Sequence, residues 1–334
     1  MFKLKCLIIM ILYITILISY SSTTQTSTST NPFKNPGSFV IEKTLSCYVY
    51  PTYIDTDPLI FAQGMAQLPL IPGDLIFKII DISSTGEVLD KYLVYNSLVE
   101  GFPKEKFKYS AMINGAYLLD LPESKADIVF GVLKTSMTSI TAPFQSVSID
   151  VEPVYSKTSG YNSIKFMTKL IELINTNLNL PVHLYLSPAP LANGMEQASE
   201  YTAFTDALKK NADNILFLPA YTDPDPVLDR DITSCVSILN KLGIKYKLIL
   251  ALRSGYNNVL DRLNWIKTNK YDSSDINKSA GLCLFSIENK YPNFDSSLYA
   301  SFVKIFYPNG ATSSGSVIRS LLLAQVIFSI IWLF

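Results

Sequence analysis

The chain of 334 residues holds one histidine, His183. Metal centres built on several histidines are therefore excluded, and with them a metal-dependent phosphodiesterase barrel. It has no charge excess, with 28 basic residues against 28 acidic ones, and no basic run. Nothing in that balance suits a nucleic-acid backbone, and no nucleic-acid partner is expected. No G-x-G-x-x-G occurs among the 14 glycines, which argues against a dinucleotide-binding sheet. Cysteines number four, and Cys6 sits in an N-terminal apolar run, which leaves Cys47, Cys235 and Cys283, an odd set for an oxidising compartment. No cofactor and no metal is expected.

What is present begins at the two ends. Lys3 and Lys5 precede the run "CLIIMILYITILIS", and the polar tract "YSSTTQTSTSTN" follows it. This is the layout of a secretory signal peptide over residues 1–20, then a Ser/Thr-rich lead-in over 21–38. At the other end, Asn309, Gly310 and Ala311 are small residues, a polar spacer runs to Ser320, and Leu321 to Phe334 is apolar. That order matches a GPI-attachment signal over 309–334, with Asn309 as the attachment residue. A membrane span is the alternative at each end, and both runs are short for the ~20 residues a span needs. Loss of Lys3, Lys5 and Arg319 with these segments leaves a slightly negative mature chain. The localisation expected is the cell surface, with the protein lipid-anchored in the outer leaflet of the plasma membrane. Asn277 opens the one glycosylation sequon, "NKS". A monomer is expected.

Between the ends, short apolar runs alternate with segments of helical period. Strands are predicted at 45–51, 74–82, 106–115, 144–153, 181–188, 214–222, 246–254 and 280–288. In the helix after the fourth, Ile164, Met167, Leu170, Ile171 and Ile174 recur at helical spacing. Eight strands alternating with helices over 39–308 predict a single-domain (β/α)8 TIM barrel. An open doubly wound sheet is the other reading. Strands one and eight of a closed barrel are neighbours, so a Cys47–Cys283 disulfide is the expected pairing if one forms.

The fourth strand, "FQSVSIDVEP", ends in two acids. Period-two alternation puts Ser148, Asp150 and Glu152 on one face and Val147, Ile149 and Val151 on the other. With the apolar face toward the helices, the acids face the barrel axis at the C-terminal end, where barrel enzymes build their sites. Two neighbouring carboxylates cannot both ionise easily, so Glu152 is expected to hold its proton above the usual range. A protonated acid beside an ionised one suits glycosidic cleavage. A solvated pair beyond a shorter strand is the alternative.

This strand resembles the D-x-x-D-x-D-x-E signature of family 18 glycoside hydrolases, the chitinase-like barrels. Gln145 stands at the first Asp, Ser148 at the second, Asp150 at the third and Glu152 at the Glu. "YSAMING" is similar to the family's S-x-G-G, with Met112 and Asn114 as departures. "LPAYTD" is similar to M-x-Y-D, with Tyr221 matched, Thr222 in place of the Asp, and Asp223 one residue late. "LCLFSIE" carries Phe285 where the family usually has Trp. The resemblance implies that Glu152 is the acid/base and that Asp150 and Tyr221 hold the substrate's acetamide. Tyr48, Ser148, Asp223 and Phe285 would then contact sugar. The implied substrate is an N-acetylhexosamine-containing polysaccharide, cleaved with substrate-assisted retention. Two alternatives remain: a weak or inactive barrel that binds carbohydrate, and a family 25-like muramidase, whose strand-end D-x-E is also similar.

Overall fold

In the computed structural model the described residues are 40–50, 65–66, 68–91, 96, 106–115, 121–151, 162–188, 195, 199–220, 226–250, 252, 259–271, 279–285 and 296–308. The strands are β1 (Ile41–Val49), β2 (Ile71–Ile82), β3 (Val88–Lys91), β4 (Lys108–Gly115), β5 (Phe144–Val151), β6 (Val182–Tyr185), β7 (Ile215–Pro219), β8 (Lys245–Leu250) and β9 (Ser279–Leu284). The helices are α1 (Ala126–Ser139), α2 (Asn162–Asn177), α3 (Tyr201–Lys209), α4 (Pro226–Leu242), α5 (Val259–Ile266) and α6 (Ser296–Phe306).

Neighbouring strands pair in parallel in the order β1-β9-β8-β7-β6-β5-β4-β2, and β1 pairs again with β2. The ring is therefore a closed barrel of eight parallel strands, and β5 is its fourth. β3 stands outside this count. It folds back antiparallel on the C-terminal extension of β2 through a turn in which Gly86 takes a φ of 78°, a conformation that costs glycine little.

Alternation along each strand sends one set of side chains outward beneath the helices and the other to the axis. The helical stripe predicted on α2 is all buried in the outer core. The axis side holds three layers. At the N-terminal end lie Ser46, Asp74, Ser110, Ser146, His183 and Lys247, all buried. Above them Tyr48, Ile76, Met112, Tyr185, Phe217, Ile249 and Cys283 form an apolar layer. The third layer, at the C-terminal mouth, is polar again. Where β9 meets β1, Gly281 has a φ of 122°, and a Cβ there would stand 2.4 Å from the Thr44 carbonyl oxygen. Only glycine allows that approach.

The expected Cys47–Cys283 disulfide is not formed, and register is the reason. Cys283 lies opposite Ser46, while Cys47 lies opposite Leu284. The two cysteines thus point to opposite sides of the barrel wall, Cys47 into the outer core and Cys283 to the axis. Cys47, Cys235 and Cys283 are buried thiols, and none is in a disulfide among the described residues. Burial pushes the Cys235 thiol far up, with the Asp231 charge adding to it, so it stays protonated.

Candidate active site

The C-terminal mouth is built on β2, β4 and β5. Asp150 is half-buried on β5, in register with Asn114 on β4. It shares its face with Ser146 and Ser148, so it points to the axis as the alternation predicts. Asn114 Nδ2 donates to Asp81 Oδ1 at 2.7 Å. Lys78 Nζ reaches Asp81 Oδ2 at 2.7 Å, and both side chains are largely shielded from solvent. Lys78 also lies over the Tyr50 ring, 5.7 Å from its centroid.

Asp81 reaches the mouth because β2 is bulged. Lys78 pairs with Met112 and Ile80 with Ile113, so β2 carries one residue more than β4 over this step. Ile79 and Ile80 both enter the outer core, and Asp81 returns to the axis side in register with Asn114. A bulge beside a site re-aims a side chain in this way. Strict alternation from Lys78 would have sent Asp81 outward. The available signal was the pair of polar residues three apart, Lys78 and Asp81, in an otherwise apolar strand.

Aromatic rings close the other side. Phe285 is half-buried, and its centroid lies 5.9 Å from that of Tyr50 and 6.0 Å from that of Tyr48, both edge-on. Tyr48 is fully buried and stacks 6.4 Å below Tyr50. It therefore supports the rings above it and presents no free face of its own. Burial raises the Tyr48 phenol well above its usual range, with the Asp150 charge as the next cause. The phenol stays protonated, and its hydroxyl has no hydrogen-bond partner among the described residues. Ser148 is also fully buried, and its hydroxyl has no partner among the described residues.

Of the residues expected at the site, the structure thus brings Asp150, Ser148, Tyr48 and Phe285 together around the axis. It adds Lys78, Asp81, Asn114 and Tyr50. Glu152, Tyr221 and Asp223 lie outside the described residues, as do Asn277, Asn309 and both terminal segments. Among the described residues, no group of three His, Cys, Asp or Glu side chains could hold a metal ion, and no helix is long and apolar enough to cross a membrane. Chemically, the mouth offers carboxylate acceptors, an amide, an ammonium and ring edges. That set suits hydrogen bonding to a polyhydroxylated ligand with an apolar face.

No protein-family model and no curated protein sequence matches the chain. Solved structures do. The catalytic domain of a hyperthermophilic chitinase from Pyrococcus furiosus superposes with a TM-score of 0.50 at 13% identity, over 82% of this chain and 99% of that one. A family GH18 chitinase from Chromobacterium violaceum gives 0.48 at 9% identity, over 84% and 89%. The C-terminal domain of ChiA from Legionella pneumophila gives 0.47 at 11% identity, over 79% and 98%. At these identities the likeness is one of fold: the chain is a (β/α)8 barrel of the architecture that the Pyrococcus furiosus chitinase domain also uses.

Proposed function

We propose that this protein is a glycoside hydrolase that cleaves N-acetylhexosamine-containing polysaccharide at the cell surface, held there by a C-terminal lipid anchor. The observation that carries the reading is Asp150, on the axis side at the C-terminal end of the fourth barrel strand, in register with Asn114 and beside a mouth lined by Asp81, Lys78 and aromatic rings. Glu152 follows Asp150 by two residues. In this mechanism Glu152 protonates the glycosidic oxygen as the bond to the anomeric carbon breaks. The substrate's own acetamide oxygen attacks that carbon from the other face, oriented by Asp150 and Tyr221. Water then opens the cyclic intermediate, with Glu152 now taking the proton.

One observation favours a binding-only barrel as the second reading. Ser148, directly beneath Asp150, is a neutral, buried hydroxyl without a partner among the described residues, so position 148 supplies no second carboxylate to couple to Asp150. Hydrolysis of chito-oligosaccharides and of peptidoglycan by the secreted protein separates the two readings. Cleavage that falls at least ~10²-fold in Glu152→Gln while binding persists supports the hydrolase. Sugar binding without cleavage by the wild type supports the second reading. Cleavage of peptidoglycan alone points to a muramidase.

A further inference from the structure

The opposite end of the barrel carries a second polar cavity, of about 360 Å³. This lies within the ~300–1,000 Å³ that small-molecule sites occupy. The apolar layer of Tyr48, Met112 and Phe217 separates it from the mouth that holds Asp150. Lys43 and Lys108 stand at its rim, both exposed. Asp74, Ser146, His183 and Lys247 form its floor, all buried.

The floor's protons are mostly committed. Ser46 Oγ donates to Asp74 Oδ2 at 2.5 Å, and Lys247 Nζ donates to Ser46 Oγ at 2.6 Å. Ser110 Oγ donates to Asp74 Oδ1 at 3.1 Å, so in the short Ser110–Ser146 contact the proton comes from Ser146. Ser146 therefore turns only acceptor lone pairs to the cavity. His183 is 7% exposed, and its ring stacks on Phe217 with centroids 5.2 Å apart. Its Nδ1 has no hydrogen-bond partner among the described residues. A buried imidazole that lines a roomy cavity and keeps an unpartnered nitrogen is a group left for something to satisfy.

Charge says what. The two acids of the lining are neutralised, Asp74 by Lys247 at 3.6 Å and Asp213 by Lys245 at 3.1 Å. Lys43 and Lys108 make no ion pair among the described residues. The uncommitted groups include two ammoniums at the rim, the exposed Gln145 amide, an acceptor oxygen at the floor and the His183 imidazole.

We propose that the N-terminal mouth of this barrel binds a hydroxylated oxyanion, phosphate or a small phosphate ester, with its anionic oxygens on Lys43 and Lys108 and a hydroxyl proton directed to Ser146 and His183. Hydrogen phosphate supplies both an anionic oxygen and an O–H. Sulfate supplies only the first. The site is independent of the glycosidase reading, because none of its residues belongs to the C-terminal mouth.

His183 is the chain's one histidine, so its ring resonances report on this cavity alone. Burial lowers its pKa to about 4, with Lys247 and Lys108 lowering it further and Asp74 opposing them. The test is a titration of the full chain with inorganic phosphate, sulfate and chloride at matched ionic strength, followed by imidazole NMR. Phosphate is expected to give saturable shifts and to move the His183 midpoint upward, because a bound anion favours the imidazolium. Sulfate is expected to bind about tenfold or more weakly, the cost of losing one hydrogen bond to a buried group. The exposed pair Lys43→Gln/Lys108→Gln should weaken phosphate by at least about tenfold while keeping the unliganded Tm, and should abolish the phosphate-induced rise in Tm. Shifts that never saturate, or that chloride reproduces, overturn the proposal and leave a water-filled cavity. An equal response to sulfate overturns the hydroxylated class, and undiminished phosphate binding by the double variant overturns the rim.

Discussion

His183 should make the stability of this protein fall between pH 6.5 and 4, before most carboxylates titrate. The imidazole is buried against Phe217 and faces Asp74, Lys247 and Lys108. Burial lowers its pKa from 6.5 to about 4. The unfolded chain binds the proton near pH 6.5, and the folded chain does not until near 4. Within that window the unfolded state holds more protons, so acid favours it. The contribution is fully present above 6.5 and is lost as pH falls toward 4. The gap of about 2.5 units is worth ~3 kcal/mol, and the slope near pH 5 is ~1.2 kcal/mol per pH unit. Urea denaturation at half-unit steps from pH 7 to 4.5, in acetate and MES to keep phosphate out, measures it. His183→Gln loses the ring stacking and is less stable at every pH, but its profile through the window should be nearly flat. A flat wild type refutes the reasoning, as does a His183→Gln variant that is equally steep.

Lys247→Met should cost ~3–5 kcal/mol at pH 7, because it strands the Asp74 carboxylate in the barrel floor; Asp74→Asn in the same chain should recover part of that loss, and urea unfolding of the three variants checks both. Gly281→Ala should destabilise by more than ~1 kcal/mol, read from the same transitions, since its Cβ has no room beside Thr44. At the proposed active site, Asp81→Ala removes one contact each from Lys78 and Asn114 and should raise KM for an oligosaccharide more than it lowers kcat; an unchanged KM would take β2 out of the site. A phosphatidylinositol-specific phospholipase should release the protein from intact cells, and retention after full digestion with the 321–334 peptide still attached removes the lipid anchor.

The rhythm of the barrel was legible because strand and helix each write a local period. β5 is the best case: alternation alone put Ser148 and Asp150 on the axis side, and the structure has them there. The β2–β3 hairpin was missed, since β3 has only four residues and is largely exposed, too short to write a period. Its turn at Gly86 was the one local clue.

Register, by contrast, is not a local property, and the disulfide misreading traces to it. Cys47 and Cys283 sit on strands that do touch, yet an offset of one residue puts them on opposite sides of the wall. Asp81 sits on a strand whose period is broken once by a bulge, and a reading at strict period two assigns it to the wrong side. The polar floor shows the same limit on a larger scale. Ser46, Asp74, Ser110, Ser146, His183 and Lys247 each interrupt an apolar strand, and each interruption is visible in isolation. Lys247 Nζ meets Ser46 Oγ across 201 residues of chain, so no spacing in the sequence announces that contact. An isolated buried Asp or Lys is expensive enough to demand a partner. Six such interruptions near the N-terminal ends of parallel strands in one closed barrel have a single place to meet, the axis. Combining burial cost with barrel closure therefore predicts a polar layer of this kind before any coordinates exist, even though the shear that pairs Asp74 with Lys247 must be seen.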